Sequence, residues 1–329
     1  MKKYLLSFFT TATIIFASAC SFADTQTTES QPSVDTTVQE STMNEGATQT
    51  EYPLTVTDAT GTEVTIETEP ERIVSASPSE TEILFALGLG DKLVGVSDYD
   101  DYPEEALEKE KVGGVVDPNE EAILALEPDF VIGGISMSDD VAQKLRDLEL
   151  PMYKNDASTL DEIMDNILQI GLIVNAQEEA AELVADMQAD IDDVREAVKD
   201  VSEDDKKTVY VEFAPGWTVG SGEFLDELIT LAGGVNAAGD VEGWNEVNEE
   251  KIIEVNPEVI IYAKDAVDFE TEEPLKDLIQ QRGGWEKMTA IQEDRLVPIE
   301  ENIVSRTGPR VTEALKQFAE AIYPELYTK

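Results

Sequence analysis

The sequence contains no histidine, one cysteine and few basic residues. The absence of histidine excludes Ser-His-Asp and Cys-His hydrolases and His-ligated zinc or haem sites. A single cysteine excludes internal disulfides and thiolate metal clusters. Lys and Arg total 23 against 71 Asp and Glu, for a formal net charge of −48. Because phosphate contacts need clustered Lys and Arg, this balance excludes a nucleic-acid binder.

The 329 residues allow about two domains of ordinary size, and 41% hydrophobic residues can supply real cores. Beyond the N-terminal region, no apolar run reaches the length of a membrane span. We interpret the extreme acidity as a solvated carboxylate surface, suited to high salt or alkaline surroundings, and not as ligand chemistry.

The N-terminal region predicts export and membrane anchoring. In residues 1–19, two lysines precede a mostly apolar stretch from 4 to 16, as in a signal peptide. Cys20 follows small residues that resemble a bacterial lipobox, which predicts lipidation of its thiol. The alternative is ordinary signal peptidase cleavage after Ala17–Ala19. Residues 20–51 are rich in Thr, Ser, Gln and Glu and predict a flexible tether, so we expect an extracytoplasmic protein held to the outer face of the cell membrane.

The remaining chain alternates short apolar strands with helices, which predicts two Rossmann-like α/β lobes with mostly parallel sheets. The lobes are expected over residues 52–175 and 202–329. Apolar residues at helical spacing, without proline, predict one long connector helix over 176–201. In the first lobe, Ser79–Glu82 has the S-x-x-E spacing of a helix capping box.

An internal repeat supports this two-lobe prediction. Residues 119–132 align without gaps on residues 248–261: each segment predicts an Asn cap, an acidic first turn, a short helix, a proline and a buried strand. Any α/β unit can place a capped helix before a strand, but the shared spacing favours duplication. It puts Glu121 and Glu250 at corresponding positions, where they compensate the helix dipole and could dock on basic sockets of a two-fold partner.

A signal with its cysteine, a polar linker, two α/β lobes and one connecting helix resemble the substrate-binding lipoproteins of ABC importers. The similar subfamily has one rigid helix between its lobes (the class III fold) and serves ferric siderophores, haem and cobalamin. Besides the two Asn-Glu-Glu helices, the motifs that carry the resemblance are Pro70–Ser75, Ser77–Glu82 and Gly95–Pro103. The stretch Val96–Pro103 is similar to cobalamin-binding members. The resemblance implies a non-enzymatic monomer that serves a permease dimer and its ATPase and needs no cofactor or metal.

The resemblance also implies the site residues. The residues expected to bind ligand in the interlobe cleft are Tyr99, Trp217, Trp244, Asn302, Arg306, Pro78 and Ser79. Glu121 and Glu250 match the family's glutamates that dock on the permease. Val115 stands where cobalamin receptors have tryptophan, which leaves the exact ligand, a corrinoid or an iron chelate, open.

These residue types suit a large, flat ligand such as a corrin. Aromatic faces can pack on it with little loss of rotamer entropy, and Asn302 and Arg306 can hydrogen-bond its amides or phosphate. We expect Trp285 in the core and Arg310 in a structural role, and only small closure because one stiff helix resists hinge bending. A ferric siderophore or haem is the alternative cargo. A secreted carboxylate-dependent hydrolase is a third hypothesis, although no spacing singles out an acid pair.

Overall fold

The computed structural model describes residues 49–327. The predicted signal peptide, Cys20 and nearly all of the predicted tether lie outside these residues. The strands are β1 (Leu54–Thr57), β2 (Glu63–Ile66), β3 (Ile73–Ser75), β4 (Leu93–Val96), β5 (Glu110–Lys111), β6 (Phe130–Gly133), β7 (Met152–Lys154), β8 (Thr208–Glu212), β9 (Trp217–Val219), β10 (Val235–Asn236), β11 (Trp244–Glu246), β12 (Val259–Ala263) and β13 (Leu296–Ile299).

Helices alternate with these strands along most of the chain. They are α1 (Pro78–Ala86), α2 (Glu120–Ala125), α3 (Asp139–Asp147), α4 (Leu160–Ile173), α5 (Gln177–Val198), α6 (Phe224–Leu231), α7 (Glu249–Val255), α8 (Leu275–Gln281), α9 (Thr289–Gln292), α10 (Glu301–Ser305), α11 (Val311–Ile322) and α12 (Pro324–Tyr327). Within residues 49–327, no helix combines the length and apolarity that crossing a membrane requires.

Two parallel sheets dominate the fold, as the alternating pattern predicts. The first has the order β5-β4-β3-β6-β7 and the second the order β10-β8-β12-β13. Strands β3, β6, β7 and β12 are buried along their whole length, because helices cover both faces of a parallel sheet. We call the part of the chain that carries β3–β7 the first lobe, and the part that carries β8, β10, β12 and β13 the second lobe.

Two small antiparallel pairs accompany the sheets. Strands β1 and β2 form a hairpin, which the alternation around Gly61 predicts; this glycine has φ +76° at the turn. Strands β9 and β11 pair in the second lobe, and neither is predicted from the sequence, where both segments are predicted to be turns beside glycine. This second pair carries Trp217 and Trp244 opposite Glu246 and Val219.

The predicted connector is helix α5, which has 22 residues and ends at Val198. Its buried face consists of Ala180, Met187, Ile191 and Val194, at the spacing of an amphipathic helix. It contacts α4, which follows the first sheet, and α6 and α11 of the second lobe. The helix predicted over 176–201 is therefore present, three residues shorter at its C-terminal end.

The predicted capping box at Ser79–Glu82 is wrong. Helix α1 begins at Pro78 after Ser77, and no side chain caps its first turn; Ser79 lies inside the helix and therefore does not occupy the N-cap position. The Glu82 carboxylate instead accepts hydrogen bonds from arginines of the second lobe. A capping box does form at Thr159 and Glu162, where the same T-x-x-E spacing occurs at the start of α4.

Candidate ligand cleft

The two repeat segments have the same local geometry in the two lobes. Asn119 and Asn248 each cap a short helix by accepting a backbone hydrogen bond of 3.1 Å three residues later. Each helix then ends on a left-handed residue before a proline, with φ +47° at Glu127 and +53° at Asn256. The strands that follow, β6 and β12, lie in different sheets. The structure therefore agrees with the duplication predicted from the aligned segments.

Acidic residues at matching positions of the two repeat segments also occupy matching positions in the two lobes. Asp129 and Glu258 each accept hydrogen bonds from backbone N–H groups at the start of the neighbouring strand, at 2.9 Å and 3.2 Å. Glu121 and Glu250 are exposed on the first turns of α2 and α7. One exposed glutamate per lobe is the arrangement that the docking hypothesis requires.

The carboxyl ends of the first-sheet strands bring several buried acidic side chains together. Glu80, fully buried on α1, accepts a 2.8 Å hydrogen bond from Asn155, which follows β7. Asp100 follows β4, is 1% exposed and accepts a hydrogen bond from Ser97. Burial is the main cause that raises the pKa of both carboxyl groups. Ligands of open α/β sheets bind along this kind of edge.

Tyr99 lies on the loop after β4, and 64% of it is exposed. The buried Asp100 next to it anchors the loop, so the exposed ring stands on a fixed backbone. This exposure fits the prediction that Tyr99 presents its ring to a ligand.

Arg306 and Asn302 of the second lobe meet this loop. Arg306 donates from Nη1 to Glu82 Oε1 at 2.8 Å, and from Nη2 to the Tyr99 carbonyl at 3.1 Å and Asp101 Oδ1 at 2.7 Å. Asn302 Nδ2 donates to Asp101 Oδ2 at 2.9 Å. Burial opposes ionisation of Asp101, but these bonds outweigh it and lower its pKa. The structure thus joins three predicted ligand residues, with Arg306 already bound to protein acceptors.

Arg310 has the structural role expected of it. Its Nε and Nη2 donate to the two oxygens of Glu82 at 2.9 Å and 2.7 Å, and its guanidinium lies 3.8 Å from the centre of the Tyr102 ring. Cation–π contact and a bidentate carboxylate together fix this side chain.

Trp217 and Trp244 form a second aromatic surface. They are 42% and 38% exposed on the paired strands β9 and β11. Trp244 packs edge-on against Phe213, with ring centroids 4.8 Å apart. By contrast Trp285 is fully buried, 5.5 Å from the ring of Tyr210, which agrees with its predicted core position.

The tryptophan surface lies near the first lobe as well. Glu223, which accepts a hydrogen bond from Trp244, has a raised pKa, first because of burial and then because of the charges of Asp156 and Glu162. Close by, Glu227 accepts a 2.7 Å hydrogen bond from the Leu160 N–H. Among residues 49–327, no ring contact joins Tyr99 to either tryptophan. The predicted aromatic residues therefore form two groups, both next to contacts between the lobes.

The remaining predicted ligand residues begin α1. Pro78 is half-buried, whereas Ser79 is only 7% exposed, so little of the Ser79 side chain can reach a ligand. A cavity of about 770 Å³ lies beyond the other end of α1, and its lining includes Phe85, Tyr102 and Arg310. None of the seven predicted ligand residues lines it.

Comparison with known proteins identifies the class. Residues 73–302 match the family model described as periplasmic binding protein. An ABC transporter substrate-binding lipoprotein of Bacillus subtilis (strain 168) is 36% identical over 283 residues, which cover 84% of this chain and 87% of that protein. A vitamin B12-binding protein of Vibrio cholerae (strain O395) is 32% identical over 250 residues, covering 75% of this chain and 87% of the relative.

A solved structure gives the same result for the fold. The periplasmic haem-binding protein from Roseiflexus sp. RS-1 superposes with a TM-score of 0.70 at 25% identity, over 78% of this chain and 99% of that one. The chain belongs to the periplasmic binding protein family. It is a substrate-binding protein of an ABC transporter, with the two-lobed fold and single connecting helix expected from the sequence.

Proposed function

We propose that this protein binds a cobalamin-like corrinoid between its lobes and delivers it to an ABC importer. The observation that carries the proposal is the set of three exposed rings, Tyr99, Trp217 and Trp244, beside the contacts between the lobes. Covering an aromatic side chain is worth about 1.5–3 kcal/mol, so a broad apolar ligand can gain affinity from each ring. The B12-binding relative from Vibrio cholerae supports this choice of cargo.

Charge favours a corrinoid over the alternative, an anionic iron chelate. Ferric siderophores usually need several free cationic groups, but Arg306 and Arg310 both bind the buried carboxylate of Glu82. The similarity to a haem-binding structure keeps haem as the second candidate. With no histidine in the chain, haem iron would find no imidazole ligand here.

The test is a titration of the purified protein with cyanocobalamin, followed by tryptophan fluorescence. We expect saturable quenching, a loss of affinity of about 10-fold or more in Trp217→Ala, and recovery of most of it in Trp217→Phe, which keeps an aromatic face. In a parallel titration with haemin, binding is followed by the shift of the haem Soret absorption band. No response to cyanocobalamin, or a spectral shift with haemin alone, would refute the corrinoid proposal.

We also propose that Glu121 and Glu250 dock the loaded protein on the permease. Each lies exposed at a helix start and contacts no cation within residues 49–327, so both carboxylates are available to a basic partner surface. Replacing both glutamates by alanine is expected to leave ligand affinity unchanged and to reduce transport in cells. Glu120→Ala with Glu249→Ala is the matched control at the adjacent positions. Undiminished transport by the Glu121 and Glu250 double variant would contradict the docking role.

Finally, we propose that Cys20 carries a lipid and that the predicted tether, residues 20–51, links it to a monomer. The tether ends at Thr50, which is hydrogen-bonded to Leu172 and Asn175. The Bacillus relative that is termed a lipoprotein supports this anchoring. Mass spectrometry of the membrane-extracted protein tests it, with Cys20→Ser as the comparison. An unmodified mature N-terminus at another residue would contradict lipidation.

A further inference from the structure

Glu82 stands out among the buried groups because its partners come from the other lobe. Its side chain is 2% exposed on α1 of the first lobe. Both of its oxygens accept hydrogen bonds from Arg310 at 2.7–2.9 Å, and Oε1 also accepts one from Arg306 at 2.8 Å. The two arginines are 224 and 228 residues further along the chain. One buried carboxylate thus holds two guanidinium groups across the lobe boundary.

Arg306 extends this contact to the loop that carries Tyr99. Arg306 also donates to the Tyr99 carbonyl and to Asp101, and Asp101 in turn accepts from Asn302. We call the five side chains of Glu82, Asp101, Asn302, Arg306 and Arg310 the clasp. Of its two carboxylates Glu82 is buried, whereas the Asp101 side chain is 51% exposed; together they balance the two guanidinium groups in charge, which limits the cost of burying Glu82.

The net charge of the chain explains why an attractive contact between the lobes is needed. At a net charge of −48, two acidic lobes repel each other, and this repulsion favours their separation. Only 23 basic residues are available, and the side chains of two of them are just 10% and 11% exposed here. Because buried ion pairs are screened far less than surface ones, the clasp keeps its attraction in salt.

We propose that Glu82 is a positioning residue: by holding Arg306 and Arg310 it fixes the separation of the lobes and the place of Tyr99. As far as the ligand is concerned, the proposal rests on the proposed function. The proposal also gives Arg306 a role different from the ligand binding that the family resemblance implies. Here the Arg306 guanidinium acts on the ligand through the Tyr99 backbone.

The geometric test needs no ligand. Spin labels are placed on Glu121→Cys and Glu250→Cys, one in each lobe, in a Cys20→Ser background that removes the only native cysteine. Pulsed dipolar spectroscopy then measures the distance between the labels. We expect one narrow distribution in the parent and a distribution roughly twice as wide or more in Glu82→Ala, since lobe motions are limited by such contacts. Glu182→Gln, on the exposed face of α5, removes one charge without touching the clasp and should match the parent.

The second arm measures ligand release. We expect Glu82→Ala to raise the dissociation rate of cyanocobalamin about 10-fold or more, with an association rate within about 3-fold of the parent. Arg306→Lys keeps the charge but not the fork of donors, and should fall between Arg306→Ala and the parent. If Glu82→Ala does not fold, as judged by circular dichroism, Glu82→Gln and Arg310→Ala replace it in both arms.

The two arms separate the possible failures. An unchanged distance distribution in the clasp variants would overturn the positioning role whatever ligand is used. A widened distribution in a protein that never binds cyanocobalamin would support the clasp and refute only the corrinoid proposal. A widened distribution with unchanged release of bound cyanocobalamin would overturn the assignment of Tyr99 placement to Glu82.

Discussion

Each lobe buries a glutamate that holds arginine at the carboxyl edge of its sheet, but the two pairs connect different parts of the molecule. Glu82 follows β3 and Glu212 ends β8, and these strands correspond because they lie beside the repeat strands β6 and β12. Glu82 binds arginines of the opposite lobe. Glu212 binds Arg282 of its own lobe. The same kind of buried ion pair therefore joins the two lobes in one case and lies within a single lobe in the other.

The Glu212 pair belongs to the interior of the second lobe. Its carboxylate accepts from Arg282 at 2.5 Å and 2.6 Å, from the Tyr210 hydroxyl at 2.9 Å and from the Gly216 N–H at 2.9 Å. Burial raises the pKa of Tyr210 well above its usual value, so this hydroxyl stays a donor. Arg282 also covers the ring of Trp285 at 4.6 Å. The pair therefore supports the core of one lobe, whereas the clasp joins two lobes.

The largest expected effect comes from breaking the pair within the second lobe. Glu212→Ala leaves Arg282 without its main partner and the hydroxyl of Tyr210 without its acceptor. Removing one member of a buried pair costs about 3–5 kcal/mol, so we expect a loss of this size in the free energy of unfolding, measured by urea denaturation. The distance between lobe labels should stay narrow in the folded fraction, in contrast to the clasp variants.

Glu249→Ala is the matched control for this variant. Glu249 Oε1 lies 3.5 Å from Nε of the same arginine, but the Glu249 side chain is 52% exposed. Exposed pairs contribute about 0–1 kcal/mol, so the control should be close to the parent. Equal losses in the two variants would show that burial of Glu212 does not set its energetic role.

A second prediction concerns Glu80, a buried acid of the first lobe that forms no ion pair with any cation among residues 49–327. Its pKa is raised, mainly by burial, although hydrogen bonds from Ser77 and Asn155 oppose the shift; the charge of Asp100 adds to it. The folded state thus keeps a proton that the unfolded state loses above about pH 4.5. This group's contribution to stability therefore falls as pH rises from 4.5 through the folded-state pKa, by up to about 1.4 kcal/mol per pH unit.

Glu80→Gln mimics the protonated acid and removes this titration. We expect its unfolding free energy, measured by urea denaturation at pH 5 and pH 8, to depend less on pH than that of the parent. Tyr153, whose pKa is raised to about 12 by burial and by the charges of Asp58 and Glu80, stays neutral throughout this range. Glu182→Gln should keep the parental change in unfolding free energy between pH 5 and pH 8. If Glu80→Gln shows the same change as the parent, Glu80 is ionised in the folded protein.

Local patterns explain why most of the fold could be predicted. Asparagine caps, prolines after helices and short apolar runs act over a few residues, so the repeat units and both sheets follow from nearby sequence. The spacing rule also shows its limits. Thr159 and Glu162 form a capping box, while Ser79 and Glu82 have an equivalent spacing and do not, because Ser79 lies inside α1 and Thr159 lies at the N-cap of α4.

The parts of the site that the sequence did not predict depend on distant partners. The buried acids Glu80 and Asp100 look like ordinary surface residues in a chain this acidic. Only the folded structure places Glu82 beside an arginine 224 residues away. Strands β9 and β11 are three residues each and are separated along the chain by α6 and β10, so neither shows a periodic pattern and no short turn indicates their pairing. Trp217 and Trp244 are exposed on these strands, and their predicted contact with a ligand stays a prediction.

The smallest expected effect tests whether the duplicated units are also alike in energy. Asn119→Ala and Asn248→Ala each remove one 3.1 Å capping bond from an exposed helix start. Loss of such a cap costs about 0.5–2 kcal/mol, so we expect similar decreases near 1 kcal/mol in urea denaturation. Asn→Asp at either position keeps an acceptor and should restore most of the loss. If one cap costs far more than the other, the two repeats share a geometry without sharing its energetics, and neighbouring contacts in one lobe, such as the bond from Arg72 to the Glu127 carbonyl, would account for the difference.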